Sequence, residues 1–307
     1  MLRTDSDNRR AHGDTNFAVD QPQTDFAGFD IEWFENKATS GADGAARYPD
    51  RARYLNFTYF NIYKADRNPA LYRDDDAYWA RRDGLNVFSI AGGDNLLPIK
   101  DTSLYFQYVR QINTHPDRKV DATGYYIEPG YTFSNLPWSP HIYYRYSHYS
   151  GEPGHPGEPV ATKHAYDFLF YGGGLRDLFG NYAMGEVVGN FMAPNTNLNV
   201  HNASVKVTAP FHLLKPADML AFELIGYVFK LDQPLRAGAT SGNYAKEIDL
   251  VSTYALDDKT TFGFAAGIAS PGQGGRQAIA FSTAGLPGAR SGARNSYVFE
   301  AFMFGSF

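Results

Sequence analysis

Tyr297-Val298-Phe299-Glu300-Ala301-Phe302-Met303-Phe304-Gly305-Ser306-Phe307 closes the chain as an alternating strand that stops on an aromatic residue. Tyr297, Phe299, Ala301, Met303 and Gly305 share one face, which carries no charge. Val298, Glu300, Phe302, Phe304 and Ser306 share the other, which holds the only one. Successive side chains of a strand point to opposite faces, so the pattern prepares two different environments. A soluble domain seldom ends on an aromatic strand without a polar tail. A bacterial outer-membrane β-barrel does, with one face of its last strand on lipid and the other on the lumen. Phe307 is then the residue expected to be read by the outer-membrane insertion machinery.

Upstream, strand candidates follow at fairly regular spacing. They are Gly28–Glu35, Arg53–Lys64, Gly84–Ala91, Thr102–Ile112, Asp121–Phe133, Pro140–Tyr149, Tyr182–Phe191, Asn195–Ala209, Met219–Leu231, Tyr244–Leu256, Lys259–Ser270 and Ser296–Phe307. About twelve are visible, the even count usual for a single-chain barrel. Tyr166–Tyr171 is a candidate for a further short strand. In Met219–Leu231, Leu220, Phe222, Leu224 and Val228 alternate with Glu223, Ile225 and Tyr227. In Tyr244–Leu256, Ile248, Leu250 and Tyr254 alternate with Glu247, Asp249 and Thr253. Alternation alone suits either a soluble half-exposed sheet or a membrane barrel with its apolar side outward. The aromatic ending, the aromatic load of 16% and the strand count favour the barrel. The fold expected is therefore all-β, an antiparallel transmembrane β-barrel over 26–307, preceded by a polar arm at 1–25.

Composition narrows the function. The mean hydropathy of −0.40 and the lack of any ~18-residue apolar run exclude a membrane helix. They do not exclude a barrel, in which only alternate residues meet lipid. With no cysteine, a disulfide scaffold and a thiolate metal site are excluded. A net charge of −5 gives no basic footprint for nucleic acid. The first ten residues hold no apolar signal core. Either the chain is a mature form, or its natural start lies upstream of Met1. Long polar segments at Lys37–Ala52, Asp66–Asp83, Gly151–Ala165, Asp232–Gly242 and Pro271–Arg294 contrast with tight turns at 135–140 and 256–259. That contrast is the loop asymmetry of an outer-membrane barrel. Gly263 and Gly267 fall inside a strand and mark a bend or close packing.

No catalytic, cofactor or metal motif emerges. His148-Tyr149-Ser150 places a His near a Ser, but adjacency along a strand end does not give a nucleophile and its base. Asp74-Asp75-Asp76 lacks the spacing of a calcium loop and reads as a solvated acidic loop. Gly272-Gln273-Gly274-Gly275 is not a phosphate loop, since no Gly-Lys-Ser/Thr follows and no helix is expected there. What remains is the lumen. Arg145, Glu128, His141, Glu223, Glu247, Asp249 and Glu300 are the candidate lumen-lining residues. Rings of such charge either select solutes by sign or prop the wall as internal salt bridges. Arg145 is the candidate anion-attracting residue, with Glu247 and Asp249 as its counter-charges.

Ala122 to Gly151 reads ATGYYIEPGYTFSNLPWSPHIYYRYSHYSG and runs on into Glu152. This strand, Pro-Trp-x-Pro turn, aromatic strand and Ser-Gly-acid ending resembles the alginate-export family of outer-membrane porins. Tyr166–Gly172, Gly185–Asn190, Asn195–Asn199 and Glu247–Leu250 fit the same family. The resemblance spans roughly 54–307. It implies an 18-stranded barrel, of which the visible strands are a part, with a basic pore for an anionic polysaccharide. The expected function is an outer-membrane channel for passive passage of small polar solutes or anionic oligosaccharides. The alternative is a structural or adhesive barrel with a plugged lumen. The expected partners are membrane lipid and the permeating solute.

Overall fold

A computed structural model describes residues 2–4, 24–36, 51–65, 82–94, 96–97, 99–116, 119–167, 187–188, 197–215, 218–257, 259–282 and 294–305. Its strands in chain order are β1 (Leu2–Thr4), β2 (Thr24–Asn36), β3 (Arg51–Ala65), β4 (Leu85–Asp94), β5 (Thr102–Asn113), β6 (Lys119–Thr132) and β7 (His141–Tyr149). They continue with β8 (Thr162–Lys163), β9 (Leu198–Thr208), β10 (Met219–Leu231), β11 (Asn243–Ala255), β12 (Thr260–Pro271) and β13 (Ser296–Gly305). The fold is all-β. Twelve strands form one antiparallel sheet, each paired with its neighbour in sequence except that β7 pairs directly with β9. The two-residue β8 sits off this path and runs parallel to β6.

Eleven of the expected strands are present. The strand expected at Tyr182–Phe191 is absent at its two described residues, Val187 and Val188, which are in turn and helical conformation, and β7 pairs directly with β9. The twelfth place belongs to Leu2–Thr4, which lies in the stretch expected to be an irregular arm and pairs with Thr24–Phe26. With β7 paired directly to β9, the connections alternate between two ends. The 66–84, 114–118, 150–197, 232–242 and 272–295 connections all fall at one end, the loop end. The 95–101, 133–140, 209–218 and 256–259 connections fall at the other, the turn end. Lys37–Ala52, read as a long loop, joins β2 to β3 at the turn end. Phe307, Asp74–Asp76, 168–171 and the rest of Tyr182–Phe191 lie outside the described residues.

The two faces of the sheet differ sharply. Down β10, Ile225, Tyr227, Phe229 and Leu231 are buried while Leu224, Val228 and Lys230 between them are exposed. The same parity leaves Ile31 on β2, Ile90 on β4, Ile127 on β6, Ile248 on β11 and Phe299 on β13 exposed, Phe299 at 76%. The buried face gathers Leu85, Val109, Ala122, Tyr149, Val200, Ile225, Val251 and Ala265 into one cluster. One layer that buries one face along eight strands, with no second layer over the other among the described residues, has the arrangement of a barrel wall.

A helix, α1 (Gln273–Ser282), interrupts the connection expected to be irregular. Its two glycines, Gly274 and Gly275, which argued against a helix, are there for fit. A side chain at Gly274 or Gly275 would run into the Ser241 or Tyr244 carbonyl oxygen. Glycine costs a helix interior roughly 1 kcal/mol relative to alanine. Here it lets the first turn sit against the backbone leading into β11.

At the turn end, Asp218 accepts the amides of Leu213, Leu214 and Lys215 and the Tyr254 hydroxyl. Asp257 beside it takes the Lys215 ammonium at 2.8 Å and the Thr260 amide at 2.9 Å. The Lys215 contact, foremost among its partners, holds the Asp257 carboxyl at about 2, below the usual 3.8. A depressed carboxyl contributes stability that is complete above the unfolded value and lost as pH falls through the folded one. The turn should therefore loosen between about pH 4 and pH 2. An NMR titration of the refolded protein should place the Asp257 midpoint near 2, and Lys215→Met should raise it. An unmoved midpoint would assign the depression to the backbone amides instead.

Candidate functional site: the inner face and its inserted segment

All seven residues singled out from the sequence lie on the inner face by strand parity. Their surroundings divide them. Toward the turn end, His141, Glu223 and Glu300 are half-exposed. The Glu223 carboxylate accepts the Tyr143 hydroxyl at 2.8 Å and the Ser204 hydroxyl at 2.6 Å, and His141 meets the Thr132 hydroxyl at 2.9 Å. Lys206, not singled out from the sequence, stands directly across from Glu223 in the β9–β10 register. Toward the loop end, Glu128, Arg145, Glu247 and Asp249 are buried.

Arg145 does not face open space. Its guanidinium lies 4.0 Å from the Tyr126 ring centroid and 3.7 Å from the Glu128 carboxylate. Glu128 is thus a counter-charge that sequence reasoning did not assign to it. Pro129, next to Glu128, has no backbone N–H, and the β6–β7 register skips from Ile127↔Tyr146 to Gly130↔Tyr143 around this pair. Glu247, expected to answer Arg145, has a different task. Its two carboxylate oxygens accept the backbone amides of Val187 and Val188 at 2.6 and 2.8 Å.

Val187 and Val188 belong to the 150–197 connection between β7 and β9, and both are fully buried among inner-face residues. The connection is held elsewhere too. Gln111 on β5 bonds the Asp167 backbone through both its amide groups, at 2.7 and 2.9 Å. The Asp167 carboxylate takes two nitrogens of buried Arg82. Tyr166 fills the space that a side chain on Gly124 would occupy, and Val187 presses against Gly267 at 3.1 Å from where its side chain would begin. The close-packing role expected at Gly267 is therefore present. Residues 164–167 and 187–188 thus occupy the loop-end half of the inner face. Sequence inspection missed Arg82, Gln111 and Asp167. Only Gln111, polar at an inward position of β5, carried a readable signal.

Ser150-Gly151-Glu152 turns the chain inward. The Ser150 hydroxyl donates to the His164 carbonyl at 2.6 Å and accepts the Thr123 amide at 3.0 Å. The Glu152 carboxylate accepts the His164 amide at 2.9 Å, and the Gly151 amide donates to Asp232 at 3.0 Å. These bonds bring Tyr166 beside Tyr149, ring centroids 5.8 Å apart. His148 meets Asn199 at 2.8 Å, so the His148 and Ser150 side chains are engaged with different partners.

No protein-family model matches the chain, and no curated protein matches it. A solved structure of NanC porin in a rhombohedral crystal form is similar to it over 94% of this chain and 96% of that one. The TM-score is 0.35 at 9% identity. The all-β architecture stands on the strand pairing and burial described above.

Proposed function

We propose that the chain is a bacterial outer-membrane β-barrel that passes small polar solutes, its lumen occluded at the loop end by residues 164–167 and 187–188. The observation that carries this reading is the segregation of faces. Aromatic and branched side chains cover the outward face from β2 to β13, whereas Glu128, Arg145, Glu223, Glu247 and Asp249 all turn inward. Water on both sides of the wall would leave that outward surface without a partner. Among the accessible inward charges toward the turn end, Glu32, Glu223 and Glu300 outnumber Lys206 and leave an acidic balance. Cations and neutral polar solutes suit it better than the anionic polysaccharide implied by the alginate-export resemblance. No step in this reading requires catalysis or a cofactor.

Outward Leu224 tests the membrane reading. It is 53% exposed in the middle of β10. Leu224→Arg should cost about 2–4 kcal/mol of folding into lipid vesicles if this face meets the bilayer midplane. Unchanged vesicle insertion would remove the membrane assignment. Conductance of the refolded chain in a planar bilayer tests the channel. Discrete steps, with a reversal potential favouring cations across a salt gradient, are expected whenever the occluding segment is displaced. A second reading, a structural barrel with a permanent plug, is favoured by the two hydrogen bonds that the Glu247 carboxylate accepts from the amides of Val187 and Val188. It predicts silence under every condition that leaves the wall folded.

A further inference from the structure

The outward face of β7, β9, β10 and β11 departs from the rest of the apolar belt in two ways. A row runs straight across these four strands: Tyr144, Ala203, Gly226 and Ile248. Two small residues between two large ones leave a trough, and nothing stands within 4 Å of where a Gly226 side chain would begin. The trough has a volume of about 650 Å³ and is walled along its length by Ile142 and Leu224. That is room for part of an acyl chain, and its lining is almost wholly apolar.

One same-face step toward the loop end, roughly 7 Å, lies the row Tyr146, His201, Val228 and Lys246. A further step brings His148, Asn199 and Lys230. Every carboxylate on these four strands, Glu223, Glu247 and Asp249, turns inward. The outward-facing groups able to carry a positive charge are Lys230, Lys246, His148 and His201, and the hydroxyls of Tyr144, Tyr146 and Tyr254 face the same way. Both lysines are exposed, and neither forms an ion pair among the described residues. Asp232, which follows β10, spends its carboxylate on the Gly151 amide and the Gln233 side chain. An apolar trough thus ends beneath a pair of ammonium groups at the level where a membrane's polar headgroups begin.

We infer that this wall is a binding site for a net-anionic phospholipid, with the phosphate on Lys230 and Lys246 and an acyl chain in the Ala203–Gly226 trough. The inference rests on the membrane-barrel reading. Charge complementarity selects the occupant: a neutral lipid would fill the trough but bring no anion, and a zwitterionic lipid would bring its phosphate together with a cation that offsets it, whereas a net-anionic headgroup answers both ammonium groups. Juxtamembrane lysines strengthen anionic-lipid binding additively, so losing two should weaken it roughly tenfold or more.

The test is native mass spectrometry of the full chain refolded in detergent, with phosphatidylglycerol or phosphatidylcholine added. Phosphatidylglycerol should be retained and phosphatidylcholine should not. Lys230→Gln/Lys246→Gln should reduce retention roughly tenfold, and Gly226→Leu, which fills the trough, should reduce it as well. Equal retention of the two lipids, or an unchanged double variant, would overturn the proposal. So would displacement of the lipid by inorganic phosphate at equal concentration, since the trough would then contribute nothing. The lysines are exposed, so the double variant keeps the test decisive even if Gly226→Leu misfolds. Insertion into vesicles, measured in parallel, separates the two readings. A chain that inserts yet retains no phosphatidylglycerol sinks this site alone, and a chain that never inserts sinks the barrel reading.

Discussion

On the proposed channel reading, Glu247→Ala should turn an occluded barrel into a conducting one. The carboxylate of Glu247 is the anchor of Val187 and Val188, holding both amides from inside the wall. Hydrogen bonds to a charged group contribute about 1.5–3 kcal/mol each. Losing two at the lower figure, roughly 3 kcal/mol, would raise the population with this segment displaced on the order of 100-fold. Single-channel recording is the measurement. Wild-type protein should show rare or no openings, Glu247→Gln should fall between, and Glu247→Ala should show frequent discrete steps. Amide hydrogen exchange at Val187 and Val188 should accelerate in the same order. Lost protection without any conductance would mean that displacing the segment opens no path, and the structural-barrel reading would replace the channel. Unchanged protection would remove Glu247 from the role of anchor.

The second large effect concerns Arg145. Its side chain is only 3% exposed and is enclosed by Tyr126 and Glu128. Such a group props the wall from within. Removing one partner of a buried pair is costly because the other charge stays behind, about 3–5 kcal/mol in comparable cases. Arg145→Met should therefore lower the stability of the refolded barrel by about that much, read from denaturant unfolding in lipid vesicles. Arg145→Met/Glu128→Gln should recover most of the loss, because the orphaned carboxylate is gone. If Arg145→Met instead left stability untouched while Arg145→Glu reversed ion selectivity, Arg145 would be an exposed selectivity residue after all. The accessible charges for selection are then Glu32, Glu223, Glu300 and Lys206, nearer the turn end.

The same reasoning explains which sequence expectations held. β11 was legible because Ile248 and Leu250 alternate with Glu247 and Asp249, and alternation needs nothing beyond the strand itself. Val187 and Val188 were misread as strand because a short run of apolar residues looks alike whether it joins a sheet or packs against one. Val187 and Val188 are apolar for burial inside the wall, not for pairing. α1 was missed because Gly274 and Gly275 are poor helix formers, and their reason for being glycine is the backbone of another segment. The 135–140 turn was read correctly from local chemistry alone. Trp138 and Ser139 there take positive φ values of 67° and 40°, which reverse the chain within a few residues.

By itself the sequence determined that the chain is built of antiparallel strands, where eleven of them lie, and which side chains share a face. Those properties follow from a two-residue period and from turn chemistry, both local. Only the tertiary structure decided which face is enclosed, since alternation is the same for an apolar core and for an apolar belt. It also decided what occupies the enclosed side. Arg82 meets Asp167 and Glu247 meets Val187 across separations of 85 and 60 residues. No local pattern encodes such meetings, because they exist only once the sheet has curved and the connection between β7 and β9 has folded against its inner face.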